Sequence, residues 1–261
     1  VTAGIEPQSL LKVRDLAVVL SGLSILQGVS FDVADTGVTV LLGRNGVGKT
    51  TTLRAILGLA PATGSLTFDG DEIVGRRTHE LVQKGLGYVP EDRCVFAGLT
   101  VAENLRLAER TKTSAYDLVF ELFPELKKRA SQKAGSLSGG QQQMLALGRV
   151  LLTENRLLLV DEPTKGLAPK VVTEVADALA RVAVRVPILL VEQNLAVVRR
   201  LAGDAVVLAA GQVAWTGSAS ELLGDQDLTK SLLGVGASID ADGRGEERGA
   251  HPDGGTVGSH A

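Results

Sequence analysis

Nine consecutive residues, Gly43, Arg44, Asn45, Gly46, Val47, Gly48, Lys49, Thr50 and Thr51, carry the first chemistry legible in the chain. They match the G-x-x-x-x-G-K-T form of a phosphate-binding P-loop. Gly43, Gly46 and Gly48 let the backbone curl so that its N–H groups converge on phosphate oxygens. Lys49 is spaced to reach the β- and γ-phosphates, and the Thr50 hydroxyl to hold Mg2+. Such a string arises by accident in about one chain in a hundred. The flanks lower those odds. The apolar run Val38–Leu42 precedes the loop, and a helical pattern, Leu53, Ile56, Leu57, follows it. Strand, glycine loop and helix together predict a nucleoside triphosphate site, with the helix N-terminus adding positive potential.

A second constellation lies downstream. Leu157-Leu158-Leu159-Val160 is an apolar strand that ends in Asp161-Glu162, a Walker B arrangement. It would put Asp161 at the C-terminal edge of a sheet, where ligands gather in open α/β folds. Asp161 would then orient Mg2+ through its water shell, and Glu162 would polarise an attacking water as general base. Alone, the same residues would as readily start a loop; the upstream P-loop decides between the readings. Between the two motifs stands Leu137-Ser138-Gly139-Gly140-Gln141, followed by a helical run through Met144, Leu145, Leu147, Gly148, Leu151 and Leu152. Ser138 reads as its N-cap, and the glycine N–H groups at the helix start as an anion site.

The elements that must position these motifs alternate along the chain. Residues 10–33 read as two β segments joined by a turn at Ser21-Gly22. Pro61, Ala62, Thr63 and Gly64 end the P-loop helix, 65–68 is a short strand into the Phe68-Asp69-Gly70 turn, and 78–84 a helix capped by Thr78. A strand at 85–89 follows. Residues 90–155 look like a mostly helical insertion: Thr100 and Glu103 form a capping box opening a helix through Ala108, and Pro124 breaks a second helix over 114–123. Strand and helix then alternate through Pro169–Ala183, Ile188–Val191 and Leu195–Leu201, up to a hairpin around Ala210-Gly211. Residues 238–261 lack apolar periodicity and read as a disordered tail.

Composition narrows the function. The 261 residues suit one large α/β domain or two small ones. A net charge of −3 and 3% aromatic residues disfavour a nucleic-acid partner, which needs a basic groove and stacking rings. Cys94 is the single cysteine, which excludes an internal disulfide and fits a reducing compartment. His79, His251 and His260 are scattered, so a metal is expected to arrive with the nucleotide. Glu6, Lys12, Arg14 and Asp15 interrupt the N-terminal region, and no secretory signal is expected there. The longest uncharged run, 16–31, is too short and too polar to span a bilayer. Work at a membrane would therefore require another protein to hold the chain there.

Taken together, residues 43–51, 137–141 and 157–162 resemble the ATP-binding cassette (ABC) transporter ATPases, over about residues 10–235. Finer features are similar to the branched-chain amino-acid importer subfamily, and among its branches to the LivF type: Val89-Pro90-Glu91-Asp92-Arg93, Glu121-Leu122-Phe123-Pro124, Gly166-Leu167-Ala168-Pro169 and Leu190-Val191-Glu192-Gln193-Asn194. The resemblance implies an α/β fold: a P-loop NTPase (RecA-like) parallel-sheet core with an antiparallel β subdomain and an inserted helical signalling subdomain at about 90–155. It implies a head-to-tail dimer, with a different ATPase subunit or with a second copy of this chain, in which each ATP lies between one P-loop and the other subunit's Ser138, Gly139, Gly140 and Gln141 equivalents. Two membrane permease subunits would hold the pair at the cytoplasmic face of the membrane, and an extracytoplasmic binding protein would supply substrate.

Three positions depart from the general ABC pattern. Glu91 stands where most relatives have a glutamine; its carboxylate could still ligate Mg2+ or a water, but its charge near a γ-phosphate needs an offset from Mg2+ or Arg93. Gln193 stands in place of a histidine; an amide can donate to the γ-phosphate but cannot shuttle a proton. Both replacements are usual in the LivF-type branch. Leu20 stands where an aromatic ring stacks on adenine. The remaining readings are an ABC ATPase for another cargo such as urea or lipid, a soluble ABC ATPase of translation or DNA repair, and a non-hydrolysing module. Lys49, Asp161 and Glu162 disfavour the last; a single cassette without heptads or a basic face disfavours the soluble class.

Overall fold

The computed structural model describes residues 9–110 and 115–234. The tail read from the sequence at 238–261, and residue 114 of the second insertion helix, lie outside the described residues. Strands β1 (Ser9–Leu20) and β2 (Leu23–Ala34) form an antiparallel hairpin. Its turn residues Ser21 and Gly22 both take positive φ, the handedness that continues the twist of paired strands. β3 (Val38–Leu42) runs into the P-loop and α1 (Lys49–Ile56) leaves it. β4 (Thr63–Phe68) and β5 (Asp71–Glu72) complete a four-stranded antiparallel sheet in the order β2-β1-β4-β5. Thr63 and Gly64 belong to β4, where Thr63 pairs with Ala17 of β1; they do not terminate the helix, which stops at Ile56.

After α2 (Thr78–Gln83) and β6 (Leu86–Val89), the chain leaves the sheets for α3 (Val101–Arg106), α4 (Tyr116–Leu122), α5 (Pro124–Lys128), a 3-10 turn (Ala134–Ser136) and α6 (Gly139–Leu151). Three local details differ from the sequence reading. Thr78 is the first residue inside α2, and Arg77 precedes it, its N–H donating to Glu80 at 3.3 Å. α3 ends at Arg106, short of Ala108. Pro124 both ends α4 and opens α5, because a residue without an N–H is tolerated at the first helical position. The Thr100–Glu103 box caps α3 as its residue types require: Thr100 N–H donates to Glu103 at 2.7 Å, and Glu103 N–H to the Thr100 hydroxyl at 3.2 Å.

The chain then alternates through β7 (Leu157–Asp161), α7 (Pro169–Ala183), β8 (Ile188–Val191), α8 (Leu195–Leu201), β9 (Asp204–Ala209), β10 (Gln212–Ser218), α9 (Ala219–Gly224) and α10 (Gln226–Leu233). The second sheet has the order β10-β9-β3-β8-β7-β6, parallel except for the edge strand β10. Its central strands are buried on both faces, which is why they read as unbroken apolar runs. Leu158, Val160, Ile188 and Leu190 join one core with residues of α3–α9. Leu157, Leu159, Leu189 and Val191 join another with α1 and the antiparallel sheet. No helix among the described residues is long and apolar enough to cross a membrane.

Register delivers the site. Leu41 of β3 and Asp161 of β7 both pair with Val191 of β8, so three adjacent parallel strands end level. The P-loop, the Asp161-Glu162 step and the loop after Val191 leave the sheet side by side, at the edge where open α/β folds bind ligands.

Candidate nucleotide-binding and catalytic site

The P-loop curls because two glycines meet backbone or side chain where a Cβ would stand. At Gly43, φ 142°, a Cβ would lie 2.4 Å from the Leu208 carbonyl oxygen; at Gly48, φ 108°, 2.5 Å from Leu26 Cδ2. No side chain caps α1, whereas Thr100, Ser138 and Asn194 cap α3, α6 and α8. The leading N–H groups of α1 are thus uncommitted to side chains, and the helix end favours an anion. Lys49 is buried, and its Nζ donates to the carbonyls of Gly43 at 2.8 Å and Arg44 at 3.0 Å. Burial pulls the Lys49 ammonium below the ordinary lysine range, opposed by the charges of Glu162 and Asp161.

Asp161 is fully buried at the end of β7. Its Oδ1 accepts a hydrogen bond from the Thr50 hydroxyl at 3.1 Å, while its Oδ2 has no donor among the described residues. Burial raises its pKa to about 6, against the lowering effect of the Thr50 bond. A buried carboxylate oxygen without a donor is costly, and a hard cation with oxygen ligands resolves that cost. Thr50 and Asp161 therefore fit Mg2+. The carboxylate of Glu91, the third expected ligand, is taken up by Lys165, whose Nζ lies 2.6 Å from Oε1.

Glu162 follows in a left-handed conformation, φ 42°, which is uncommon for a residue with a side chain and recurs at functional sites. It is buried, with both oxygens engaged. Gln193 Nε2 donates to Oε1 at 2.5 Å, and Lys165 Nζ lies 3.2 Å from Oε2. Lys49 Nζ stands 3.9 Å from Oε1. The turn that returns Lys165 over Glu162 is closed by the Lys165 N–H, which donates to the Glu162 carbonyl at 3.2 Å. The two carboxylates raise the Lys165 pKa, chiefly through the hydrogen bond to Glu91.

Two of these participants were not singled out from the sequence. Lys165 pairs with residues three and 74 positions away, and only the first separation is a local signal. Glu192 is the other. Its Oε2 accepts from the Thr164 hydroxyl at 2.7 Å, and its Oε1 from the N–H groups of Gln193 at 2.8 Å and Asn194 at 3.0 Å. Arg93, expected as one possible offset for Glu91, lies instead beside Gly139, where a Cβ would be 3.3 Å from Arg93 Nη1.

Ser138 caps α6 through a reciprocal box: the Gln141 N–H donates to its Oγ at 3.3 Å, and Gln141 Oε1 accepts the Ser138 N–H at 3.0 Å. Gly140 packs on α7 so closely that a Cβ would fall 2.1 Å from Val171 Cγ1. Among the described residues no hydrogen bond or ion pair joins 138–141 to the P-loop. Leu20 ends β1 at the hairpin tip, 36% exposed, with Val19 and Leu23 exposed beside it. Beyond Glu91, Asp92 accepts a hydrogen bond from the Cys94 thiol at 2.8 Å and raises its pKa. Arg149 donates to the Cys94 carbonyl and stacks 5.0 Å above Phe96.

Residues 26–165 match the model of the family described as ABC transporter. The chain is 39% identical to the high-affinity branched-chain amino acid transport ATP-binding protein BraG of Pseudomonas aeruginosa, over 80% of this chain and 93% of that one. It is 37% identical to the probable branched-chain amino acid transport ATP-binding protein LivF of Archaeoglobus fulgidus, over 82% and 94%. A solved ATP binding subunit of an ABC transporter superposes with a TM-score of 0.73 at 27% identity, over 84% and 94% of the two chains. cbiO1 from Clostridium perfringens, at 24% identity and a TM-score of 0.74 over 87% and 94%, shares the fold. With a phosphate loop, an Asp-Glu step and a capped signature helix on that fold, the chain belongs to the ABC transporter family, as one of its ATP-binding and ATP-hydrolysing subunits.

Proposed function

We propose that this chain is the ATPase subunit of an importer for branched-chain amino acids or related small amino acids and amides. The observation that carries the reading is the Glu162–Gln193 bond at the P-loop edge. It joins an expected base to the amide that stands in place of a histidine, as in the importer branch the sequence resembles. The names of the BraG and LivF relatives support the same cargo class.

In this reading the P-loop residues 43–51 hold the triphosphate. Lys49 exchanges its bonds to the Gly43 and Arg44 carbonyls for phosphate oxygens. Thr50 and Asp161 hold Mg2+, which when bound neutralises phosphate charge. Glu162 accepts the proton of the attacking water, and Gln193 fixes the carboxylate's orientation. Ser138, Gly139, Gly140 and Gln141 serve the site of an opposite ATPase subunit, and Leu20 faces the base. Residues 10–235 form the ATPase domain, with about 90–155 as its helical signalling part. Two permease subunits hold the pair at the cytoplasmic face, and a binding protein delivers cargo. The test is reconstitution in proteoliposomes with the membrane subunits, second ATPase subunit and binding protein of a branched-chain amino-acid importer. ATP-dependent uptake of labelled leucine is expected; hydrolysis that responds only to urea or lipid would reassign the cargo.

A further inference from the structure

Four carboxylates converge where the strands end: Asp161, Glu162, Glu91, and Glu192, which is held by Thr164 and two backbone N–H groups. Against them stand two ammonium groups, Lys49 and Lys165. Lys49 is committed to the P-loop, with Gly43 and Arg44 as its hydrogen-bond acceptors. Lys165 is the group that touches two of the carboxylates at once, at 2.6 Å from Glu91 and 3.2 Å from Glu162. Glu91 introduces a charge that a glutamine would not, beside a base that must itself stay charged. Unscreened, two neighbouring carboxylates disfavour each other and, with bound phosphates, the whole site.

We propose that Lys165 is a positioning residue that balances the charge of Glu91 and holds Glu162 in register, so that the two positions work as a pair. The proposal rests on Glu162 being the base. The turn geometry supplies the mechanism. The left-handed Glu162 and the Lys165 N–H bond to its carbonyl fold the lysine back over the carboxylate of the residue three before it. One residue earlier, Thr164 is tied to buried Glu192, whose other oxygen holds the Gln193 N–H. The loop bearing Lys165 and the loop bearing Gln193 are thus fixed by one carboxylate, and they grip opposite oxygens of Glu162. Lys165 is half-exposed, so its replacement removes charge without opening the core.

The pairing has a particular signature. Without Lys165, Glu91 is an uncompensated charge beside the base; without Glu91, Lys165 has less to balance. The experiment is a double-mutant cycle on the full chain, assembled with its partner subunits, reading kcat and KM for ATP hydrolysis. Lys165→Ala is expected to lower kcat on the order of tenfold with little change in KM. In a Glu91→Gln background the same change should cost no more than about threefold, because the charge it balanced is gone. Lys165→Arg should retain most of the rate. Additive losses in the double variant, or an unchanged kcat in Lys165→Ala, overturn the pairing. Glu162→Gln is run alongside. If it keeps turnover, the base assignment fails and the proposal with it; if it is inactive while the cycle is additive, the proposal alone fails.

Discussion

The Thr164 hydroxyl donates to Glu192 Oε2 across 2.7 Å, and both residues are buried. They belong to the loops after β7 and β8, 28 residues apart in the chain. Because Glu192 Oε1 also accepts two backbone N–H groups, its carboxylate is satisfied inside the protein by three donors. Thr164→Val removes one donor and keeps the volume. A hydrogen bond to a charged group is worth ~1.5–3 kcal/mol, and that loss of unfolding free energy is expected in urea titrations. A value near zero would mean that solvent or another donor replaces the hydroxyl.

Glu162→Gln should lower ATP turnover by at least ~10²-fold, the contribution of a positioned base, while ATP still binds. The amide keeps the shape of the side chain but not its proton affinity. Single-turnover hydrolysis and nucleotide binding, measured on the same preparation, separate the two effects.

Asp161 makes stability depend on pH in a stated direction. Its pKa is raised from 3.8 to about 6 in the folded chain, mainly by burial. The native state therefore holds this proton more tightly than the unfolded one, and stability falls as pH rises from about 4 to about 6. Asp161→Asn removes that fall. In nucleotide-free protein the variant should melt higher than wild type at pH 8, with the difference shrinking toward pH 4. Hydrolysis should be lost at both. Equal differences at pH 4 and pH 8 would show that the carboxylate is compensated in the folded state.

Gly140→Ala inserts a methyl group where Val171 already stands, 2.1 Å from Cγ1. Overpacking of this kind costs ~1–3 kcal/mol. Adding Val171→Ala should recover most of the lost melting temperature, because it clears the same space. No recovery would place the demand for glycine in the α6 backbone instead of its contact with α7.

Leu20→Tyr is expected to tighten ATP binding and to widen its preference over GTP. The P-loop contacts are common to every nucleoside triphosphate, so the base must supply the discrimination. A ring stacked on a base contributes ~1–3 kcal/mol, and leucine at a half-open hairpin tip offers no π-face. Dissociation constants for both nucleotides, at matched Mg2+, decide it; no gain from tyrosine would assign adenine to another residue.

How much of this was legible in residues alone varies with the range of the interaction. β3, β7 and β8 are legible because burial on both faces writes an unbroken apolar run into the sequence. α7 is legible from end to end because Pro169 marks its start and its apolar stripe is regular. The sequence reading missed α9 and α10, although α9 has a local signal in Ser218 with Glu221 three residues on, whose N–H donates to the Ser218 hydroxyl at 3.1 Å. It is short, and brief helices leave little periodicity. The supports of the site are different in kind. Nothing local distinguishes Lys165 from a solvated lysine, or Glu192 from a surface glutamate; their roles exist only once three parallel strands end level. Arg93 illustrates the converse, since proximity in sequence to Glu91 does not become a contact.

Cys94 gives the site a built-in handle for spectroscopy. It is the chain's single cysteine, exposed and two residues beyond Asp92 on the loop that also carries Glu91. A thiol-reactive fluorophore therefore attaches at one defined point on a wild-type background. Because Asp92 disfavours the thiolate, coupling will be slow at neutral pH and faster in mildly alkaline buffer. Arg149, stacked on Phe96, donates to the Cys94 carbonyl, so the emission of a dye attached at Cys94 would report any movement of that loop on nucleotide exchange.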